Sequence, residues 1–185
     1  MSRLGKRPIE IPDAVSVKYK NRQLTASGPK GELSLEVPVD IGVKIDEDSI
    51  KVTRPGNQKR FKSMHGLAWS LISNLIHGVN EGYEKTLLIS GLGYRVKKSG
   101  TTLTFELGYS NPIKVDIPEK IEVDVPNNTT IKVSGADKQL VGQFSASVRQ
   151  LRVPDPYNQK GIKYEGEHIR KKVGKAVGGE GAMGA

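Results

Sequence analysis

Between Pro154 and Tyr164 the chain reads PDPYNQKGIKY, and His168, Arg170, Lys171 and Lys172 follow closely. From 149 to 175 there are eight Lys/Arg against three Asp/Glu, a local net of +5. A proline-stiffened loop that mixes cations with aromatic rings offers two interactions together: the cations bind phosphates, and the rings stack on bases or sugars. The candidate phosphate ligands are Arg149, Arg152, Lys160, Lys163, Arg170, Lys171, Lys172 and Lys175, and the stacking candidates are Tyr157 and Tyr164. Gly161 and His168 lie among them and are included as contact candidates. A solvated surface loop is the plainer account of any charge run, so the rest of the chain has to decide.

The charge distribution favours a polyanionic partner. The formal net charge is +9. Residues 1–30 are net +5, residues 149–175 are net +5, and the 118 residues between them hold fourteen cations and fourteen anions. A neutral body with two basic ends is the pattern of a protein that grips a polyanion with its ends. The sequence has no cysteine, which excludes a disulfide framework, a thiolate nucleophile and a thiolate metal site. The start, MSRLGKRPIEIP, lacks the apolar run of a secretory signal, and no apolar segment approaches the length that spans a bilayer. A reducing, cytoplasmic setting is expected. The Gly-rich end, 176–185, is expected to be a flexible tail.

An enzyme needs a convergent set of acid, base or nucleophile, and none is visible. His65, His77 and His168 are scattered, and the two that fall in a helical pattern read as surface or boundary residues. No metal site, cofactor or small-molecule substrate is expected. Gly91-Leu92-Gly93-Tyr94-Arg95 is neither a Walker sequence nor GxGxxG. Its glycines suit a tight approach between strands. A functional alternative is that Arg95, Lys97 and Lys98 reach a phosphate from that turn.

The elements that must position these residues come in two copies. Gly28 and Pro38 match Gly108 and Pro118 at an offset of 80 residues. Leu33, Leu35 and Val37 correspond to Ile113, Val115 and Ile117; Ile41, Val43 and Ile45 correspond to Ile121, Val123 and Val125; Ile50 and Val52 correspond to Ile131 and Val133. Strict alternation of apolar and polar residues marks these stretches as half-buried strands. Each copy then enters a helical pattern. In the first, 59–77, Phe61, Met64, Ala68, Leu71, Ile72 and Leu75 form one stripe. In the second, 138–151, the stripe is Leu140, Val141, Phe144, Val148 and Leu151, with Asp137 as N-cap. Trp69 lies one residue from the first stripe and is expected to flank the core. Gly78 and Glu81-Gly82 are expected to end the first helix. The fold class is therefore α+β, as two tandem duplicated domains, each an antiparallel β-sheet packed against one α-helix. The boundaries read 1–81, 82–175 and a tail 176–185. All strands recognised in this way precede Pro154, so both cores are expected to close without the basic segment.

The duplication, the GLGYR turn and PDPYNQKGIKY with its basic run together resemble bacterial large-subunit ribosomal protein six, over nearly the whole chain. The family motif is Tyr-Lys-Gly-Lys-Gly and an aliphatic residue, which here stands as Tyr157-Asn158-Gln159-Lys160-Gly161-Ile162. Asn158 and Gln159 depart from it, removing one cation and one turn glycine. The resemblance implies two similar α+β domains and binding of large-subunit (23S) rRNA, mainly through the second domain and tail. It implies a place near the factor-binding region at the stalk base, beside other large-subunit proteins and in transient contact with translation factors. The competing functions are another non-catalytic RNA- or DNA-binding protein, such as an assembly factor, and a small hydrolase. The DNA alternative is disfavoured because both helical patterns read as sheet-covering helices rather than basic recognition helices. No membrane partner is expected.

Overall fold

The computed structural model describes residues 4–46 and 48–174. The first unit runs β1 (Ile9–Glu10), β2 (Ser16–Lys20), β3 (Gln23–Gly28), β4 (Gly31–Glu36), β5 (Gly42–Ile45), β6 (Ser49–Thr53) and helix α1 (Lys59–Asn80). The second runs β7 (Tyr83–Ser90), β8 (Arg95–Ser99), β9 (Thr102–Glu106), β10 (Ile113–Asp116), β11 (Glu122–Asn127), β12 (Thr130–Gly135) and helix α2 (Lys138–Gln150), and closes with β13 (Gly161–Tyr164). Each unit has two antiparallel sheets rather than one. The first unit has β2-β3-β4 and β1-β6-β5; the second has β8-β9-β10 and β11-β12-β7-β13. The strand order is the same in both units, apart from β13.

The duplication extends to register. Val43 faces Val52 across β5 and β6, and Val123 faces Val133 across β11 and β12. The turns at Pro38 and Pro118 are identical in kind: the amide of Ile41 donates to the carbonyl of Pro38 at 3.1 Å, and that of Ile121 to Pro118 at 3.1 Å. The pairing of Gly28 with Gly108, however, does not hold in space. Leu35 faces Leu24, and Val115 faces Leu103, so Leu24 and Ala26 of β3 stand where Leu103 and Phe105 of β9 stand. Gly28 is the last residue of β3 and faces Gly31, whereas Gly108 lies beyond β9 in a longer loop. Spacing alone does not show this one-residue slip, because one glycine ends its strand and the other lies just beyond its own.

Two separate cores form. Leu24, Ile50, Ile72 and Val79 are fully buried in the first, and Leu87, Val96, Phe105, Ile131 and Ile162 in the second. The helix stripes predicted from the sequence face these cores through Ala68, Ile72 and Leu75, and through Val141, Phe144 and Val148. The Asp137 carboxylate accepts the amide of Gln139 at 2.8 Å, as an N-cap does. Helix α1 runs past Gly78 to Asn80 because Ile76 and Val79 continue the apolar stripe. Gly78 serves packing instead of termination, since a Cβ there would collide with the carbonyl of Ala136 in the second unit. Nearby, Lys138 Nζ donates to Asn74 Oδ1 at 3.0 Å and the Tyr83 hydroxyl to the Asn74 carbonyl at 3.1 Å, which ties the two units together.

Two further expectations need correction. His65 is not a surface residue: it is buried, with Nε2 2.9 Å from the Val52 carbonyl, and Gly5 is small enough to lie against its ring. The second core does not close before Pro154. Strand β13 adds to the free edge of β7, pairing Gly161–Tyr164 with Leu87–Ser90, and Ile162 is fully buried in the apolar cluster. Its apolar content is Ile162 and the half-buried Tyr164 on either side of one lysine, too short a pattern to read as a strand from alternation alone. Trp69 does flank the first core, and its indole N–H donates to the Arg7 carbonyl at 2.8 Å. Lys175 and the tail 176–185 lie outside the described residues.

Candidate nucleic-acid interface

Helix α2 ends at Gln150, and the chain turns through Arg152 and the buried Pro154 into a loop held by its own hydrogen bonds. The Asp155 carboxylate accepts the amides of Tyr157 and Asn158, both at 3.2 Å, and the Asn158 side-chain amide at 3.2 Å. This is the local bonding that makes Asp a turn residue. The Tyr157 amide is the main cause that holds the Asp155 carboxyl below its usual range. The Asp155 amide donates to the Lys160 carbonyl at 3.0 Å and closes the loop. Gln159 has φ +58, the left-handed conformation that glycine favours, so replacing the family's turn glycine leaves the turn in place. Gly161 has φ +147, and a Cβ there would lie 2.7 Å from Pro154 Cα and 2.8 Å from the Arg152 carbonyl. That close approach lets the Ile162 amide reach the Arg152 carbonyl at 2.8 Å and starts β13 in register.

After β13 the chain turns again. The Tyr164 amide donates to Glu167 Oε2 at 3.0 Å, and the Glu167 amide donates to the Tyr164 carbonyl at 3.1 Å. The segment 168–174 then doubles back along the loop, with the Lys172 amide bound to the Pro156 carbonyl at 3.0 Å and the Gln159 side-chain amide bound to the Ile169 carbonyl at 3.0 Å. The basic run and the tyrosine loop are thereby brought side by side.

The candidate residues divide into two groups. Arg149 is turned inward and forks onto Glu167, with Nε 3.1 Å from Oε2, and its guanidinium lies 5.8 Å from the Tyr164 ring. The hydrogen bond to Glu167 raises Arg149 above its ordinary value, and the same bond lowers Glu167. Tyr164 is half-buried against the second core. Arg95 pairs with Glu106 at 2.6 Å, and Lys98 Nζ donates to the Val123 carbonyl at 2.7 Å. These four residues are engaged within the fold. In contrast, Lys97, Tyr157, Lys160, His168, Arg170, Lys171 and Lys172 are exposed, and Lys163 and Arg152 are partly so.

The structure also gathers residues that the sequence reading passed over. Tyr94 and Tyr109 line an open groove of about 440 Å³ together with Arg152, Lys160 and Asp155. The Tyr109 hydroxyl donates to the Leu151 carbonyl at 3.1 Å, and the Arg152 guanidinium stands 4.9 Å from the Tyr109 ring centroid. The signal for Tyr94 is its place in the GLGYR turn, next to Arg95. For Tyr109 no local signal existed, because it lies 43 positions before Arg152 and only β9 and α2 bring them together. At this end of the second unit Leu92 is 94% exposed, Val153 55%, Tyr157 50% and Tyr109 47%. Apolar and aromatic surface beside free cations suits a partner that offers both rings and phosphates.

Among the described residues no group of three or more His, Asp or Glu is placed to hold a metal ion, and no helix is long and apolar enough to cross a membrane.

The sequence matches the family model described as Ribosomal protein L6 over residues 11–82 and 90–165, one segment in each structural unit. Large ribosomal subunit protein uL6 of Finegoldia magna is 51% identical over 176 residues, covering 95% of this chain and 98% of the relative. The uL6 protein of Carboxydothermus hydrogenoformans is 47% identical over 181 residues, covering 98% and 99%. That of Halalkalibacterium halodurans is 46% identical over 176 residues, covering 95% and 98%.

Proposed function

This chain belongs to the ribosomal protein L6 family, and on that premise we propose that it is a structural protein of the large ribosomal subunit that binds large-subunit rRNA through the groove end and basic run of its second domain. Ribosomal protein families are generally non-enzymatic, and no catalytic role is assigned to any residue here. The observation that carries the reading is the convergence of Arg152, Tyr157, Lys160 and the 170–172 cations at one end of a body whose middle is electrically neutral. Folded RNA is recognised largely through its backbone and through bases that leave the stack, and this surface offers partners for both. Helices α1 and α2 are spent on covering sheets, which disfavours a groove-reading DNA protein.

The domains in this account are 1–81 and 82–175, supported by the separate cores. The position implied by the family resemblance is near the factor-binding region at the stalk base, with other large-subunit proteins as permanent neighbours, translation factors as transient ones and a cytoplasmic ribosome as the setting.

The test is the salt dependence of binding to purified large-subunit rRNA. With about five cations on phosphates, log affinity falls against log salt with a slope of about −3 to −5. A slope near zero contradicts the reading.

A further inference from the structure

We propose that the groove between Tyr109 and Lys160 is a subsite for one unpaired nucleotide of the RNA, with the base stacked on the Tyr109–Arg152 platform and its phosphate on Lys160. The inference rests on the rRNA-binding reading above and deepens it.

The platform is already built in the free protein. The Tyr109 hydroxyl is anchored on the Leu151 carbonyl, which fixes the ring, and Arg152 lies against that ring at cation–π distance. Tyr109 is nevertheless 47% exposed, so much of its ring surface has no protein cover. A partly exposed tyrosine with a fixed orientation loses little entropy on stacking. Its guanidinium neighbour keeps N–H donors for a phosphate or a base edge. Tyr94 forms the adjoining wall, and Lys160 and Asp155 stand at the rim. Lys160 supplies a point charge for a phosphate. The Asp155 carboxylate beside it already accepts the Tyr157 and Asn158 amides, so it shapes the loop and leaves the phosphate to Lys160. The groove, about 440 Å³, is open to solvent. Bases inside a duplex cannot reach such a platform, so the nucleotide must come from a bulge, loop or strand end.

The experiment uses the full chain and purified large-subunit rRNA, and compares wild type with Tyr109→Leu, Tyr109→Phe and Lys160→Ala. Tyr109→Leu removes the stack but no charge, so affinity should fall by about tenfold with an unchanged salt slope. Tyr109→Phe keeps the ring and should bind within about threefold of wild type. Lys160→Ala should make the slope shallower by about one. Chemical probing should show one unpaired nucleotide that is protected by wild type and by Tyr109→Phe and becomes reactive again with Tyr109→Leu. Thermal unfolding of each variant separates a lost contact from a lost fold. If Tyr109→Leu is unfolded, Arg152→Lys replaces it: the charge stays, the stacked plane goes, and a severalfold loss at constant slope is expected. Wild-type binding that is unaffected by any ring or plane variant overturns the subsite and leaves the rRNA reading standing. So does a protection pattern confined to paired nucleotides. Absence of wild-type binding overturns both.

Discussion

Cutting the chain after Val153 should unfold the second domain and leave the first intact. The deletion removes β13, which pairs with β7 at four positions and puts Ile162 against Leu87 and Ile89. It also removes Glu167 and leaves the Arg149 guanidinium, three-quarters buried, without its carboxylate. The effect of one side chain sets the scale. Truncating a buried isoleucine to alanine costs about 2–5 kcal/mol through lost burial and the cavity left behind. A domain of this size has about 5–15 kcal/mol in total. The full deletion adds to that cost the exposure of one face of Leu87 and the loss of the edge ladder, so little of the second domain's stability remains. Scanning calorimetry should show the wild-type chain with contributions from both cores, Ile162→Ala with the second-domain transition lowered by about 8 °C or more, and the truncated chain with the first-domain transition alone. Ile162→Val should lower it by only a few degrees, in line with a cost of about 0.5–1.5 kcal/mol. A truncated chain that kept both transitions at wild-type temperatures would refute the argument, because it would show that the second core closes without β13. The test matters for function as well: RNA binding lost on such a truncation reports unfolding, so contacts must be tested by point substitution.

Gln159→Gly relieves a left-handed residue that costs about 1 kcal/mol, but it also removes the bond to the Ile169 carbonyl. Hydrogen exchange should become faster in 168–172 while the melting temperature stays the same or rises; unchanged exchange there would show that the glutamine does not hold the basic segment. Glu167 titrates lower in the folded state than its ordinary 4.5, chiefly because of the Arg149 hydrogen bond. Its contribution is therefore complete above pH 4.5 and is lost as pH falls through the depressed value. The stability difference between wild type and Glu167→Gln, measured by denaturant titration, should be largest near neutral pH and shrink in acid, and a difference independent of pH would contradict the assignment.

The sequence was legible wherever one residue type repeated with a period. Alternation located β4, β10 and their neighbours, and the apolar stripes located both helices. It failed where the deciding contact was long-range. Ile162 is one apolar residue between glycine and lysine, and only the free edge of β7 makes it a strand. His65 looked like a surface residue because a histidine on a helix gives no sign of the carbonyl it will meet. Arg149 and Arg170 are indistinguishable as letters in a basic run, yet one is held by Glu167 and the other is exposed. Charge runs report where cations are available, and the fold decides which of them are already satisfied.

Comparing the two copies separates scaffold from function. The hairpin between β3 and β4 is a tight two-residue turn, with Gly28 facing Gly31. The equivalent connection from β9 to β10 is the longer loop 107–112, and it carries Tyr109. Strand β1 has two residues, whereas β7 has eight and accepts β13 on the edge away from β12. Tyr94 stands on the turn that leaves β7, and Arg152 and Lys160 stand on the stretch that leads into β13. Every residue of the proposed nucleotide subsite thus lies on a segment by which the second copy exceeds or departs from the first. The shared strands and helices account for why each half folds. Strand β13 has no counterpart in the first half, and β7 and the loop 107–112 are longer than their counterparts; these additions meet at one end of the second domain. Two of them, β7 and β13, are joined through the core, so the surface that binds is built on strands that also stabilise the domain. That coupling is why a substitution at the exposed Lys160 tests binding apart from folding, and substitutions at Gly161 or Ile162 do not.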